Sequence, residues 1–409
     1  MSSTETAVNP ATDGHEDTAR AADSRWPAWI TSKSFQGAIS FIAFIAIFVV
    51  FSVWLGSKFF NVPARYLDIH QSAPVLLLGL SVLVTLIAGQ FDLSVASMAT
   101  LTTFLAIGLK VNQNWPFALV IVVCMLIGVV GGLVNGFLVV RLRVNTFIAT
   151  LGTGGVFLGL SSVYSKGAQL SPTTTSHQIP HWFSGAGSLG SFGEKVPAAL
   201  AWLVLAGCAV ALGVALARRR PPGVAERTWQ ALSATAVIVL AVVLVVVVDI
   251  GEVVEQISLT MGVLFVVALA MWVLLNYTTY GRYLHATGSN ATAARLAGVK
   301  PDKETTKAFV LGGVLAAFAG IILAANQGSA APEAATGFLL PAFAAAFLST
   351  VILSTGRFTV WGTLIGGTFL VWVGQGLVVG GLAFTWTAVV NGVVLILAVA
   401  LSTMFRRTN

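Results

Sequence analysis

From Phe35 onward the chain is a succession of apolar runs, each close to the length that crosses a bilayer as a helix, parted by short polar links. A hydrocarbon layer of ~30 Å needs about 20 helical residues, because each residue advances the helix by about 1.5 Å. The runs fall at 36–57, 72–89, 93–109, 117–140, 144–164, 198–217, 229–249, 256–276, 307–325, 338–355, 358–379 and 384–404. Only 9% of the 409 residues are charged, 56% are hydrophobic, and the mean hydropathy is +0.89. A soluble domain carries about 25% charged residues, so this chain could not cover its own surface in water. Soluble enzymes, nucleic-acid binders and disordered proteins are excluded. The expected fold class is all-α: a polytopic membrane helical bundle of about 10–12 transmembrane helices.

Charge distribution sets an expected orientation. Residues 1–34 are polar, carry Asp13, Glu16, Asp17 and Asp23, and have no early apolar core, so they read as a disordered cytoplasmic tail and not a signal peptide. With that tail inside and the runs alternating, 17 of the 22 Lys and Arg fall on the inner side. The outer links hold only Lys58, Arg65, Lys110, Lys166 and Lys195. The positive-inside rule then places both termini in the cytoplasm and favours an even number of spans. Cys124 and Cys208 both lie in apolar runs and read as packing residues.

Two long links interrupt the runs. Residues 165–197 form an expected external loop, in which His177 and His181 lack a third ligand for a metal. Residues 280–306 form an expected cytoplasmic loop, with a short helix-forming run from Ala291 to Leu296 ahead of Gly298. Such a helix, lying across the membrane surface, could dock on a cytoplasmic partner.

Four segments in order resemble a known family. They are Gly281-Arg282-Tyr283-Leu284-His285-Ala286-Thr287-Gly288-Ser289-Asn290 with Ala293-Ala294-Arg295-Leu296-Ala297-Gly298; Ala88-Gly89-Gln90-Phe91-Asp92-Leu93-Ser94-Val95-Ala96-Ser97; Val144-Asn145-Thr146-Phe147-Ile148-Ala149-Thr150-Leu151-Gly152-Thr153; and Gly362-Thr363-Leu364-Ile365-Gly366. Together they resemble the permease subunits of bacterial ABC monosaccharide importers of the ribose and xylose type. The resemblance implies a multi-pass permease of the bacterial cytoplasmic membrane. Its partners would be an ABC ATPase subunit, a periplasmic or lipid-anchored sugar-binding protein, and a second copy or a related permease. It also implies that Arg282, Gly288, Ser289, Asn290, Ala294, Arg295 and Gly298 belong to the ATPase-coupling loop. Gln90, Pro341 and Ser349-Thr350-Val351 depart from the ribose-type pattern, and the pair of runs at 198–249 is extra relative to a ten-helix permease.

The residues themselves support a transport subunit without its own motor. The chain has no Gly-Lys pair and hence no P-loop, so no cofactor is expected on it; ATP and magnesium belong to the partner ATPase. A neutral polyol stripped of water forfeits roughly 1–3 kcal/mol per unreplaced hydroxyl contact, so its route must offer polar side chains. Asn135, Asn326, Gln327, Gln375 and Asn391 are the candidate translocation residues, with bonding between helices as their structural alternative. Asp92, the carboxylate at a span boundary, reads either as the cap of the helix after it or as a gate. Gly128, Gly132 and Gly136, then Gly312, Ala316 and Gly320, then Gly376 and Gly380, recur every fourth residue and predict close helix contacts. A twelve-span secondary transporter is the rival class. It would show midplane acids or bases for ion coupling, which these runs lack.

Overall fold

Ala73–Ile87 is apolar on all sides, and in the computed structural model all of its residues are buried. A helix with no polar face has to sit inside a bundle. The structure describes residues 46, 48–59, 61–173, 177–188, 202–203, 206, 235, 257–352, 357–383 and 385–407. The expected tail at 1–34, and almost all of the expected helix pair at 198–249, lie outside the described residues.

Fourteen helices follow in chain order among the described residues. They are α1 (Phe48–Lys58), α2 (Val62–Gln71), α3 (Ala73–Ile87), α4 (Val95–Val111), α5 (Phe117–Gly136) and α6 (Thr146–Ser165). Then come α7 (His181–Gly187), α8 (Leu259–Tyr277), α9 (Thr279–Ser289) and α10 (Ala291–Leu296). The last four are α11 (Pro301–Gln327), α12 (Leu339–Ile352), α13 (Val360–Val379) and α14 (Trp386–Arg407). No strand is present among the described residues beyond one antiparallel bridge between Leu170 and Ala330. The all-α bundle expected from composition is what forms. Among the described residues, helices occupy ten of the twelve expected runs at the positions the hydropathy marks, the other two being the pair at 198–249. Five are long and apolar enough to cross a membrane unaided, or six if α2 and α3, bent by 51°, count as one span.

The centre is α11 with α3. Proline in the first turn of α11, with Asp302 and Glu304 beside it, suits a helix start. The helix therefore begins six residues before the expected 307, and it ends where Gly328 takes a left-handed conformation. On its sides α11 packs against α3, α4 and α5. Ser81 donates to the Gly312 carbonyl at 2.7 Å, Thr102 to Ala317 at 3.1 Å and Thr103 to Gly320 at 2.9 Å. Hydroxyl-to-carbonyl bonds of this kind join helices that have little hydrophobic drive to associate in lipid.

The glycine periodicity is used as expected. A methyl group on Gly128 would stand 2.6 Å from the Gly313 carbonyl oxygen, and one on Gly132 would strike the Phe309 carbonyl. Gly376 and Gly380 admit the rings of Phe51 and Trp54 from α1. By contrast, Gly152, Gly155 and Gly159 of α6 face open space. Gly132→Ala is therefore expected to cost about 1–3 kcal/mol by overpacking, whereas Gly152→Ala is neutral or gains up to ~1 kcal/mol in helix propensity. Thermal unfolding of the two variants in the same detergent checks this, and equal midpoints would contradict the packing described.

Described parts of both expected loops are helical. The segment at 165–197 contains α7, which is drawn onto the bundle: Phe183 packs on Phe117 with ring centres 4.3 Å apart, and Thr260 donates to the Ala186 carbonyl at 2.6 Å. His70 ties the same region together, with Nδ1 2.7 Å from the Ser258 hydroxyl and Nε2 3.0 Å from the Gly187 carbonyl oxygen. The segment at 280–306 is α9, α10 and the first turns of α11, so it holds more helix than the run expected at Ala291 to Leu296. These two regions lie at opposite ends of the bundle.

Candidate functional site

The turn from α8 into α9 is set by two residues. Thr278 caps α9 by accepting from the Gly281 N–H at 3.4 Å, and Gly281 lies so close to the backbone of Leu275 that a side chain there would collide with it. Along α9, Gly281, Leu284 and Thr287 are buried at intervals of three, while Arg282, Tyr283 and Ser289 are exposed. Asn290 then leaves the helix in an extended conformation, and its side-chain oxygen accepts from Ala293 N–H at 2.9 Å, which starts α10. Only Ala294 of α10 is buried. Gly298, at φ +84°, follows the end of α10. Arg295 meets Asp302 at 3.2 Å on the surface, and Leu296 stands 87% exposed beside it. The short helix expected at Ala291 to Leu296 is thus present, with an unpartnered apolar side chain on its outer face.

The inner face of α9 rests on the exit of α3. A Cβ on Gly288 would run into the carbonyl oxygen of Ile87. Gly89 faces it in the left-handed region at φ +76°, where a Cβ would lie 3.7 Å from the Gly288 Cα, an ordinary contact. Gly288 therefore lets the backbone of α9 press on the end of α3, where the non-helical stretch 88–94 begins, and Gly89 supplies the left-handed turn there. Desolvation first, and the charge of Arg357 second, lower the pKa of the His285 imidazole of α9.

That stretch is threaded by a buried polar chain. Asp92, 1% exposed, accepts from the Ser94 N–H at 2.9 Å and from the Ser94 hydroxyl at 2.6 Å, at the start of α4. Asn135 of α5 donates to the Ser94 hydroxyl at 2.8 Å and accepts from Thr153 of α6 at 2.6 Å. Leu93 N–H donates to Thr150 at 3.1 Å, and Thr146 donates to the Gln90 side chain. Phe91 stacks on Phe147 with centres 4.9 Å apart and also meets Phe343 and Phe347 of α12. One short segment thereby clamps α4, α5, α6 and α12, and a satisfied buried network of this kind holds a single arrangement. Ser94, Thr150 and Thr153 lie in the family-like segments, but sequence reasoning gives them no role of their own. The signal was there in Thr146, Thr150 and Thr153, whose spacing puts three hydroxyls on one helix face.

The five candidate amides are not brought together. Asn135 belongs to the chain just described, near α9. Asn326 lies at the opposite end, where its amide donates to the His70 carbonyl at 3.3 Å while its buried oxygen has no partner; Gln327 beside it is exposed. Gln375 of α13 and Asn391 of α14 are half-buried and make no side-chain hydrogen bond among the described residues. Each sits about five residues from the turn joining its helix to the other, which puts both at a similar depth.

The chain matches, over residues 69–399, the family described as "Branched-chain amino acid transport system / permease component". It belongs to this permease family. It is similar to the ribose import permease protein RbsC of Escherichia coli (strain K12), with 30% identity over 91% of this chain and 94% of the relative. The xylose transport system permease protein XylH of Haemophilus influenzae is 28% identical over 91% of this chain and 98% of its own length. The fructose import permease protein FrcC of Rhizobium meliloti is 24% identical over 91% and 87%. No solved structure matches. These relatives are transport subunits, not enzymes, and the family places this permease in the membrane as a multi-pass protein. The match takes in α3 through α13, and with them both the α9–α10 unit and the stretch 88–94.

Proposed function

We propose that this permease is the membrane-spanning subunit of an ATP-driven ABC importer in the bacterial inner membrane. It carries a monosaccharide of the pentose class delivered by an extracytoplasmic binding protein. The observation that carries the reading is the near full-length similarity to the ribose import permease, joined to an α9–α10 unit built to be pressed from outside. An ABC ATPase subunit, holding ATP and magnesium, docks on Arg282, Ser289, Arg295 and Leu296, and a second permease copy or a related chain completes the conduit. Both termini are cytoplasmic, and 280–306 is the cytoplasmic coupling segment. Gly288 transmits movement of α9 to residues 88–94, where Asp92 and Asn135 set the positions of α4, α5 and α6. Asn326, Gln327, Gln375 and Asn391 serve as neutral partners for a neutral polyol.

Uptake into vesicles tests this. Dependence on the ATPase subunit and the binding protein, with indifference to an ionophore, is the expected outcome. Uptake by this chain alone, driven by a proton gradient, would favour a secondary transporter instead.

A further inference from the structure

Beside the coupling unit, the seam between α5 and α11 opens into a groove of about 650 Å³ that no part of the proposed transport cycle uses. Its polar rim carries Arg141, Arg143 and Lys303. None of the three side chains has a salt bridge or hydrogen-bond partner among the described residues. Asp302, the acid on the same rim, is engaged by Arg295. The two arginines are delivered there by a departure from regular helix: after Gly136 the chain widens into an i→i+5 turn, Phe137–Arg141, and Arg143 follows in the left-handed region at φ +55°. Leu133, Phe137 and Val140 make the apolar wall.

A second groove, of about 530 Å³, adjoins the first and shares Leu133, Lys303 and Thr306 with it. It runs up α11 past Val310, Leu311 and Val314, a rise of about 12 Å from Thr306. Both grooves are bordered by Leu133, which belongs to the exposed stripe of α5 formed by Leu119, Val122, Leu126, Val130 and Leu133 and continued by Phe137. A polar soluble ligand would leave the apolar part unused, and a bare hydrocarbon would leave three cations unmatched. We infer that the seam between α5 and α11 is a binding site for an anionic phospholipid, its phosphate held by Arg141, Arg143 and Lys303 and one acyl chain laid along Leu133, Val310 and Val314. Basic pockets between membrane helices that continue into an apolar groove suit such lipids by charge and by shape.

Native mass spectrometry of the full-length chain in detergent, with added phosphatidylglycerol or phosphatidylcholine, tests the site. The wild type is expected to retain phosphatidylglycerol in preference to phosphatidylcholine, and each cation removed by K303Q or R141Q should lower that preference about fivefold. K166Q, which removes a charge at the opposite end of the bundle, should leave it unchanged. Leu133→Trp, which fills the shared wall, should reduce retention of both lipids. Should the arginine variant fail to fold, K303Q on the exposed first turn of α11 still decides the matter. Equal retention of the two lipids by the wild type, an equal loss with K166Q, displacement by inorganic phosphate alone, or displacement on adding the ATPase subunit would each overturn the assignment.

Discussion

In membranes that hold the complete importer, Gly288→Val is expected to leave the permease inserted and to cut ATP-driven sugar uptake by about tenfold to a hundredfold. The Cβ of any residue at this position meets the Ile87 carbonyl oxygen, a backbone atom that cannot rotate away. Overpacking against backbone costs about 1–3 kcal/mol, and each 1.4 kcal/mol corresponds to roughly a tenfold change. The chain can avoid the collision by lifting α9 off the end of α3, which breaks the contact through which movement would pass. Insertion is spared, because the spans and the Thr278 cap of α9 are unaltered. Labelled-sugar uptake, measured with ATP hydrolysis and the amount of permease in the membrane, checks this, and wild-type uptake by the variant would remove Gly288 from the coupling route.

Asn135→Leu is expected to destabilise the bundle by about 2–4 kcal/mol. It deletes the bonds to Ser94 and Thr153 in a buried chain, and groups that lose a buried partner cost about 1–3 kcal/mol each. Asn391→Leu, which removes an amide with no hydrogen bond among the described residues, should stay within about 0.5 kcal/mol of the wild type. Thermal unfolding of both variants in one detergent separates the two cases. If Asn135 instead served chiefly to contact solute, its replacement would reduce uptake and leave the unfolding midpoint in place.

How much of this was readable from the chain depends on what each residue answers to. Apolar runs answer to the bilayer and mark helices wherever they occur, which is why α5, α6, α8, α13 and α14 lie close to where hydropathy puts them. The glycines at 128, 132 and 136 answer to a neighbouring backbone, and their four-residue spacing foretold a close contact but not that α11 would supply it. The loops were read less well. The run at Ala291 to Leu296 was legible as α10, but α9 and α7 were not, because such short helices are stabilised by caps and by packing, as with Thr278 on α9 and Phe183 against Phe117. Least legible was the link between Gly288 and Gly89, about 200 residues apart in sequence and joined only by the fold. The four family-like segments contain both glycines, yet nothing in either segment says that they touch.

The central claim is that this conduit is moved from its cytosolic face through α9 and α10. The most direct measurement places a single cysteine at the exposed Leu296 (Leu296→Cys) in a chain whose Cys124 and Cys208 are replaced, and follows it in oriented vesicles. The account predicts that a membrane-impermeant thiol reagent labels it only from the cytoplasmic side, and that the assembled ATPase subunit protects it. Labelling only from the exterior would contradict the account.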